Sequence, residues 1–133
     1  MTISLTACHI TVTDADLALA FYRDALGLDV VADVANPAGR WITVASPDQP
    51  GVSIVLSDAH AGRSEEDGDA LAKLVTKGAF QAAIFSVPNL DETFEKVRAS
   101  GAEVMQEPMD QPWGVRDCAF RDPSGNMVRI NQG

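Results

Sequence analysis

One order of elements runs through this chain twice. A β-branched stretch at 3–12 precedes a helix signature at 14–27 and three strand-like stretches at 28–35, 40–45 and 52–56. After an acidic connector the order returns as 80–87, 89–101, 103–106, 115–120 and 127–131. Val12 and Val87, Gly27 and Gly101, and Pro47 and Pro123 lie 75, 74 and 76 positions apart, a drift of the size that loop insertions produce. Two half-barrels are implied.

Each helix carries its own start and stop. Asp14 or Asp16 can accept hydrogen bonds from the free N–H groups of a first turn. Leu17, Ala20, Phe21 and Ala25 then recur on one helical face, broken only by Asp24, and Gly27 suits the left-handed stop, predicting a helix over 15–26. In the second unit Asn89 is the cap, Leu90, Phe94 and Val97 face one way, and Gly101 closes the helix.

The strands are marked by alternation and by the breakers between them. In 3–12, Ile3, Leu5, Ala7, His9 and Thr11 lie on one face and Cys8, Ile10 and Val12 on the other, both mostly apolar. Such a strand is covered on both sides or turns one side toward a pocket. Breakers stand at 36–39 (Asn-Pro-Ala-Gly), 46–51 (Ser-Pro-Asp-Gln-Pro-Gly) and 122–126 (Asp-Pro-Ser-Gly-Asn). The connector begins as an acidic run at 63–69, expected to be a solvated loop, and continues into a short helix over 70–75.

With 133 residues, 46% hydrophobic and 22% charged, the chain suits one soluble domain with a real core. A formal net charge of −9 would repel phosphate backbones and anionic membranes, so neither nucleic acid nor a membrane surface is an expected partner. No apolar run approaches the roughly 18 residues of a membrane span. Cys8 and Cys118 form no CxxC pair and no disulfide framework, which fits a reducing cytoplasm.

The run Ala-Phe-Tyr-Arg-Asp-Ala-Leu-Gly at 20–27, with the turn Phe-Arg-Asp-Pro-Ser-Gly-Asn at 120–126 and the Met-Val-Arg-Ile that follows, resembles the vicinal oxygen chelate superfamily of glyoxalase-like and bleomycin-resistance-like proteins. The resemblance implies an α+β fold: two tandem βαβββ modules forming a curled mixed sheet around a cleft, within one domain. Their bounds fall at about 1–57 and 79–133, with a connector at about 58–78. It also implies a cleft closed within one chain or across a homodimer, and, in metal-dependent members, four His or Glu ligands on the first and last strands of the modules.

Carried onto this chain, those ligand positions fall at Ala7, Val55, Ala82 and Arg129. Alanine and valine have no lone pair to offer, and a guanidinium is always positive. No metal and no other cofactor is therefore expected. The expected reading is a metal-independent protein that binds a small organic molecule in a cleft lined by Ala7, His9, Val55, Ala82 and Arg129, with Trp41, Trp113 and Arg116 as further candidates. The alternative is a metal-dependent lyase, isomerase or dioxygenase whose site has moved to His9 and other partners; the sequence does not decide whether the chain is an enzyme. His60 reads as a surface residue, Cys8 as a small buried hydrophobe, and Cys118 as a thiol with no activating base, although the charge of Arg116, two residues away on the same strand face, could lower its pKa. No GxSxG elbow or phosphate-binding glycine loop is present.

Overall fold

The computed structural model describes residues 1–37 and 39–133; Ala38, inside the breaker at 36–39, lies outside the described residues. The elements run β1 (Ala7–Val12), α1 (Ala15–Leu19) continued by a π-helical segment (Ala20–Ala25), β2 (Asp29–Asn36), β3 (Gly39–Ala45), β4 (Ser53–Asp58), α2 (Glu65–Thr76), β5 (Ala82–Val87), α3 (Leu90–Ala99), β6 (Glu103–Asp110), β7 (Arg116–Arg121) and β8 (Met127–Gln132). They form two four-stranded mixed sheets, ordered β1-β4-β3-β2 and β5-β8-β7-β6. In each, the first and last strands of a unit pair in parallel and the remaining neighbours are antiparallel. This is the α+β arrangement that the resemblance implies, built on the twice-repeated order of elements.

Four local differences have physical causes. The first strand begins at Ala7 rather than at residue 3, because its partner β4 starts at Ser53, just past the Pro50-Gly51 turn; Ile3 and Leu5 are left exposed. The first helix widens after Leu19: the Leu26 N–H donates to the Phe21 carbonyl at 2.9 Å and the Leu28 N–H to that of Tyr22 at 3.0 Å. Ala18 and Leu19 of α1 and Phe21, Tyr22 and Ala25 of the wider segment face inward, and Leu17 and Ala20 stay outside the core that their spacing suggested. The acidic run is not a loop, since Glu65, Glu66 and Asp67 form the first turn of α2, where the helix dipole favours them and Ser64 caps the Asp67 N–H. Finally β6 extends to Asp110 through two bulges, beyond the expected 103–106.

Laterally paired residues share a sheet face, so register and burial together separate a core face from an open one. In the first sheet Ile10, Val12, Ile42, Val44 and Leu56 are buried; in the second, Cys118, Phe120, Val128 and Ile130. With Phe21, Tyr22, Leu90, Phe94 and Val97 from the helices they form a single core spanning both sheets.

Polar groups fasten the halves together. Asp122 Oδ1 accepts from the N–H groups of Ser124, Gly125 and Asn126, and its Oδ2 accepts from the Tyr22 hydroxyl at 2.6 Å. Asn126 Nδ2 donates both to Asp122 and to the carbonyl of Thr11, while Ser124 Oγ accepts from the Thr13 N–H. Gln81 covers the outer edge of β1, accepting from the Thr11 N–H at 2.9 Å and donating to the His9 carbonyl at 2.8 Å. A sheet edge that could recruit another strand is thereby closed.

Candidate functional site

The open face of the first sheet carries Ala7 and His9 from β1, Ser53, Val55 and Ser57 from β4, Trp41 and Thr43 from β3, and Ala32 and Val34 from β2. His9 stands beside Val55 in the ladder, and its Nδ1 lies 3.1 Å from the Ser57 hydroxyl. Its ring meets Trp41 edge to face, with centroids 5.3 Å apart and planes at 88°. Ser57 fixes one ring nitrogen and Trp41 one ring edge, so the imidazole is held in place and Nε2 is left for another partner. The result is a half-buried indole wall with small and apolar neighbours.

The open face of the second sheet is more polar. Arg129 of β8 pairs with Ala119 on one side and Ile84 on the other, and its Nη1 donates to Asp117 Oδ2 at 2.9 Å and Gln106 Oε1 at 3.1 Å. Asp117 Oδ1 accepts from Gln106 and from Gln111, each at 2.9 Å. Burial acts to raise the Asp117 carboxyl, but the hydrogen bonds from Gln111, Gln106 and Arg129, with the Arg129 charge, outweigh it and hold the group below the usual carboxylate range. An ionised acid, 1% exposed, lies under a partly exposed guanidinium.

The remaining candidates are spread out. Ala82 lies on the open face of the second sheet and lines a shallow hollow with Phe80, Met105 and Met127. Trp113, 70% exposed, sits in the β6–β7 turn two residues beyond Gln111, whose side chain ties that turn to Asp117. Arg116 does not join this group. It alternates with Asp117 onto the face of Cys118 and Phe120, and bonds Asp91 at the start of α3 at 2.9 Å. Nor does it activate Cys118, which burial first, and the Asp117 charge second, push up to about 11. Cys8 is exposed rather than buried, since the start of β1 projects past the helices that cover Ile10 and Val12. His60 is at the surface, bonded to Asp69 at 2.8 Å. A cavity of about 620 Å³ opens elsewhere, along the outer edge of β5 between Leu26, Pro47 and Val87, and includes none of these candidates.

The donor set does not fit a divalent ion. Val55, Ala7 and Ala82 offer no electron pair, and Arg129 is already bound to an acid. His9 has a hydroxyl and an indole as neighbours, not carboxylates. Among the described residues no group of three or more His, Cys, Asp or Glu is placed to hold a metal.

The model of the glyoxalase/bleomycin resistance protein/dioxygenase superfamily matches residues 4–130. The chain belongs to that superfamily. Within it, the chain is similar to YurT of Bacillus subtilis (strain 168), at 30% identity over 92% of this chain and 94% of that protein. Among solved structures it is similar to UcmS2, at 33% identity and TM-score 0.89 over the whole of both chains. It also resembles TnmS3, an antibiotic binding protein from Streptomyces sp. CB03234, at 26% identity and TM-score 0.75 over 98% of this chain and 97% of that one. No helix among the described residues of this superfamily member is long and apolar enough to cross a membrane.

Sequence reasoning missed Ser57, Gln106, Gln111 and Asp117. Asp117 alternates with Cys118 and Phe120 onto the opposite face of β7, and its place opposite Asn131, diagonal to Arg129, follows once the 122–126 turn fixes the β7–β8 register. Gln106 was hidden, because two bulges break the count along β6.

Proposed function

We propose that this superfamily member binds a small organic molecule, without a metal ion, against the open faces of its sheets, and that the whole chain is one domain acting as a cytoplasmic homodimer. The observation that carries the reading is the His9–Trp41 wall: a fixed imidazole and a half-buried indole at right angles, bordered by Ala7, Thr43 and Val55. Apolar surface with a few oriented polar groups is the usual make-up of a small-molecule site. That TnmS3 is an antibiotic binding protein supports it, because the likeness extends over nearly the full length of both chains.

Metal independence is supported by the chemistry at Ala7, Val55, Ala82 and Arg129, none of which can donate to a cation. Dimerisation is supported by large apolar side chains at the surface, with Ile84 65%, Val34 55% and Met109 44% exposed. The two free cysteines are compatible with a reducing compartment. A thermal-shift screen of planar aromatic and glycopeptide-like compounds tests the reading. At least one compound should stabilise the protein, with affinity falling by about tenfold or more in Trp41→Ala. No stabilisation by any compound would contradict it.

A further inference from the structure

We infer that the group this site accepts at Arg129 is a neutral acceptor, a carbonyl or amide oxygen, and not a carboxylate or phosphate; the inference rests on the binding function proposed above. Arg129 Nη1 is committed to Asp117 Oδ2 at 2.9 Å and to Gln106 Oε1 at 3.1 Å. Asp117 is 1% exposed and held from its other oxygen by Gln106 and Gln111, so it cannot swing away when a ligand arrives. The positive charge is thus offset at hydrogen-bond distance by a fixed negative one.

Among the described residues the Arg129 Nε and Nη2 hydrogens have no acceptor, on a side chain that remains partly exposed while its acid is covered. An incoming neutral oxygen meets these polarised donors and needs to lose little hydration. An incoming anion meets both Arg129 and Asp117, and must also shed a strong hydration shell for a charge that is already balanced. The same balance extends along this face, where Arg121 lies 3.5 Å from Glu103. The net charge of −9 further disfavours an anion in the approach.

Matched ligands separate the cases: two- and three-ring aromatic carboxamides and the carboxylates of the same rings, measured by isothermal titration near neutral pH against wild type and Asp117→Asn. In wild type the carboxamides should bind more tightly by at least about tenfold, and Asp117→Asn should move the preference toward the carboxylates by a similar factor. Circular dichroism checks that the variant is folded, and the wild-type comparison stands without it. A wild-type preference for carboxylates, equal affinity for both series, or an unchanged preference in folded Asp117→Asn overturns the inference while leaving the proposed binding function intact. Binding of neither series removes the proposed function, and the inference with it.

Discussion

The Asp122 carboxylate accepts five hydrogen bonds from a nearly dry position: three from the backbone amides of its own turn, one from the Asn126 side chain and one from the Tyr22 hydroxyl. Burial, then the Asp122 charge, then the hydrogen bond itself push Tyr22 well above its ordinary value of 10.0, so it stays a donor throughout the working range. Tyr22→Phe should therefore cost about 1–3 kcal/mol in denaturant unfolding, the usual penalty for leaving a buried acceptor short of a donor. An unchanged midpoint would show that the link contributes nothing. At His60 the sign runs with protons. The hydrogen bond that its Nε2 donates to Asp69 raises its pKa above 6.5, burial opposes, and the charges of Asp69 and Asp58 add to the rise. A folded-state value above the unfolded one gives stability that is complete below pH 6.5 and is lost as the pH climbs through the raised value. The stability difference between wild type and His60→Ala should shrink over that climb, and thermal melts across pH 5–8, a range set by the histidine reference value of about 6.5, would show it.

At the scale of elements, the connector helix α2 is fastened at both ends. Its start faces His60, which lies over Gly68, and its end presents the carbonyl of Val75 to Gly125 of the last turn. Gly125 has φ of +120°, and an added Cβ would strike that carbonyl. Gly125→Ala should thus destabilise the protein by more than about 2 kcal/mol, through left-handed strain and a backbone collision together. Gly68→Ala meets only the movable ring of His60 and should cost less; chemical denaturation of the two variants would rank them. The order of elements was legible because helix caps, alternation and breakers all act locally: Asn89, Gly101 and the apolar face of Leu90, Phe94 and Val97 stand as their spacing predicts. The π-helical segment was not legible, since nothing in Ala-Phe-Tyr-Arg-Asp-Ala marks a wider turn, and the inward face depends on the sheets it packs against. Ala7 and His9 could be grouped from period-two alternation and Val55 from the resemblance alone, whereas the His9–Ser57 bond spans 48 residues through a parallel pairing that periodicity does not reach.

For the whole molecule, two sheets share one core and turn their other faces outward, one apolar and aromatic, the other polar and charge-balanced. Family membership explains the frame. The side chains at the expected coordination points explain why the frame is read here as a binding site and not a metal centre. Exposed Ile84 and Val34 lead to an expected dimer, which light scattering coupled to gel filtration would report as twice the 14.1 kDa chain mass. The most direct test of the central claim is calorimetric titration of a stabilising aromatic compound into protein stripped with a chelator and assayed for metals. The account predicts unchanged affinity in metal-free protein and its loss in Trp41→Ala; binding that disappears on stripping and returns with one equivalent of a divalent ion would contradict it.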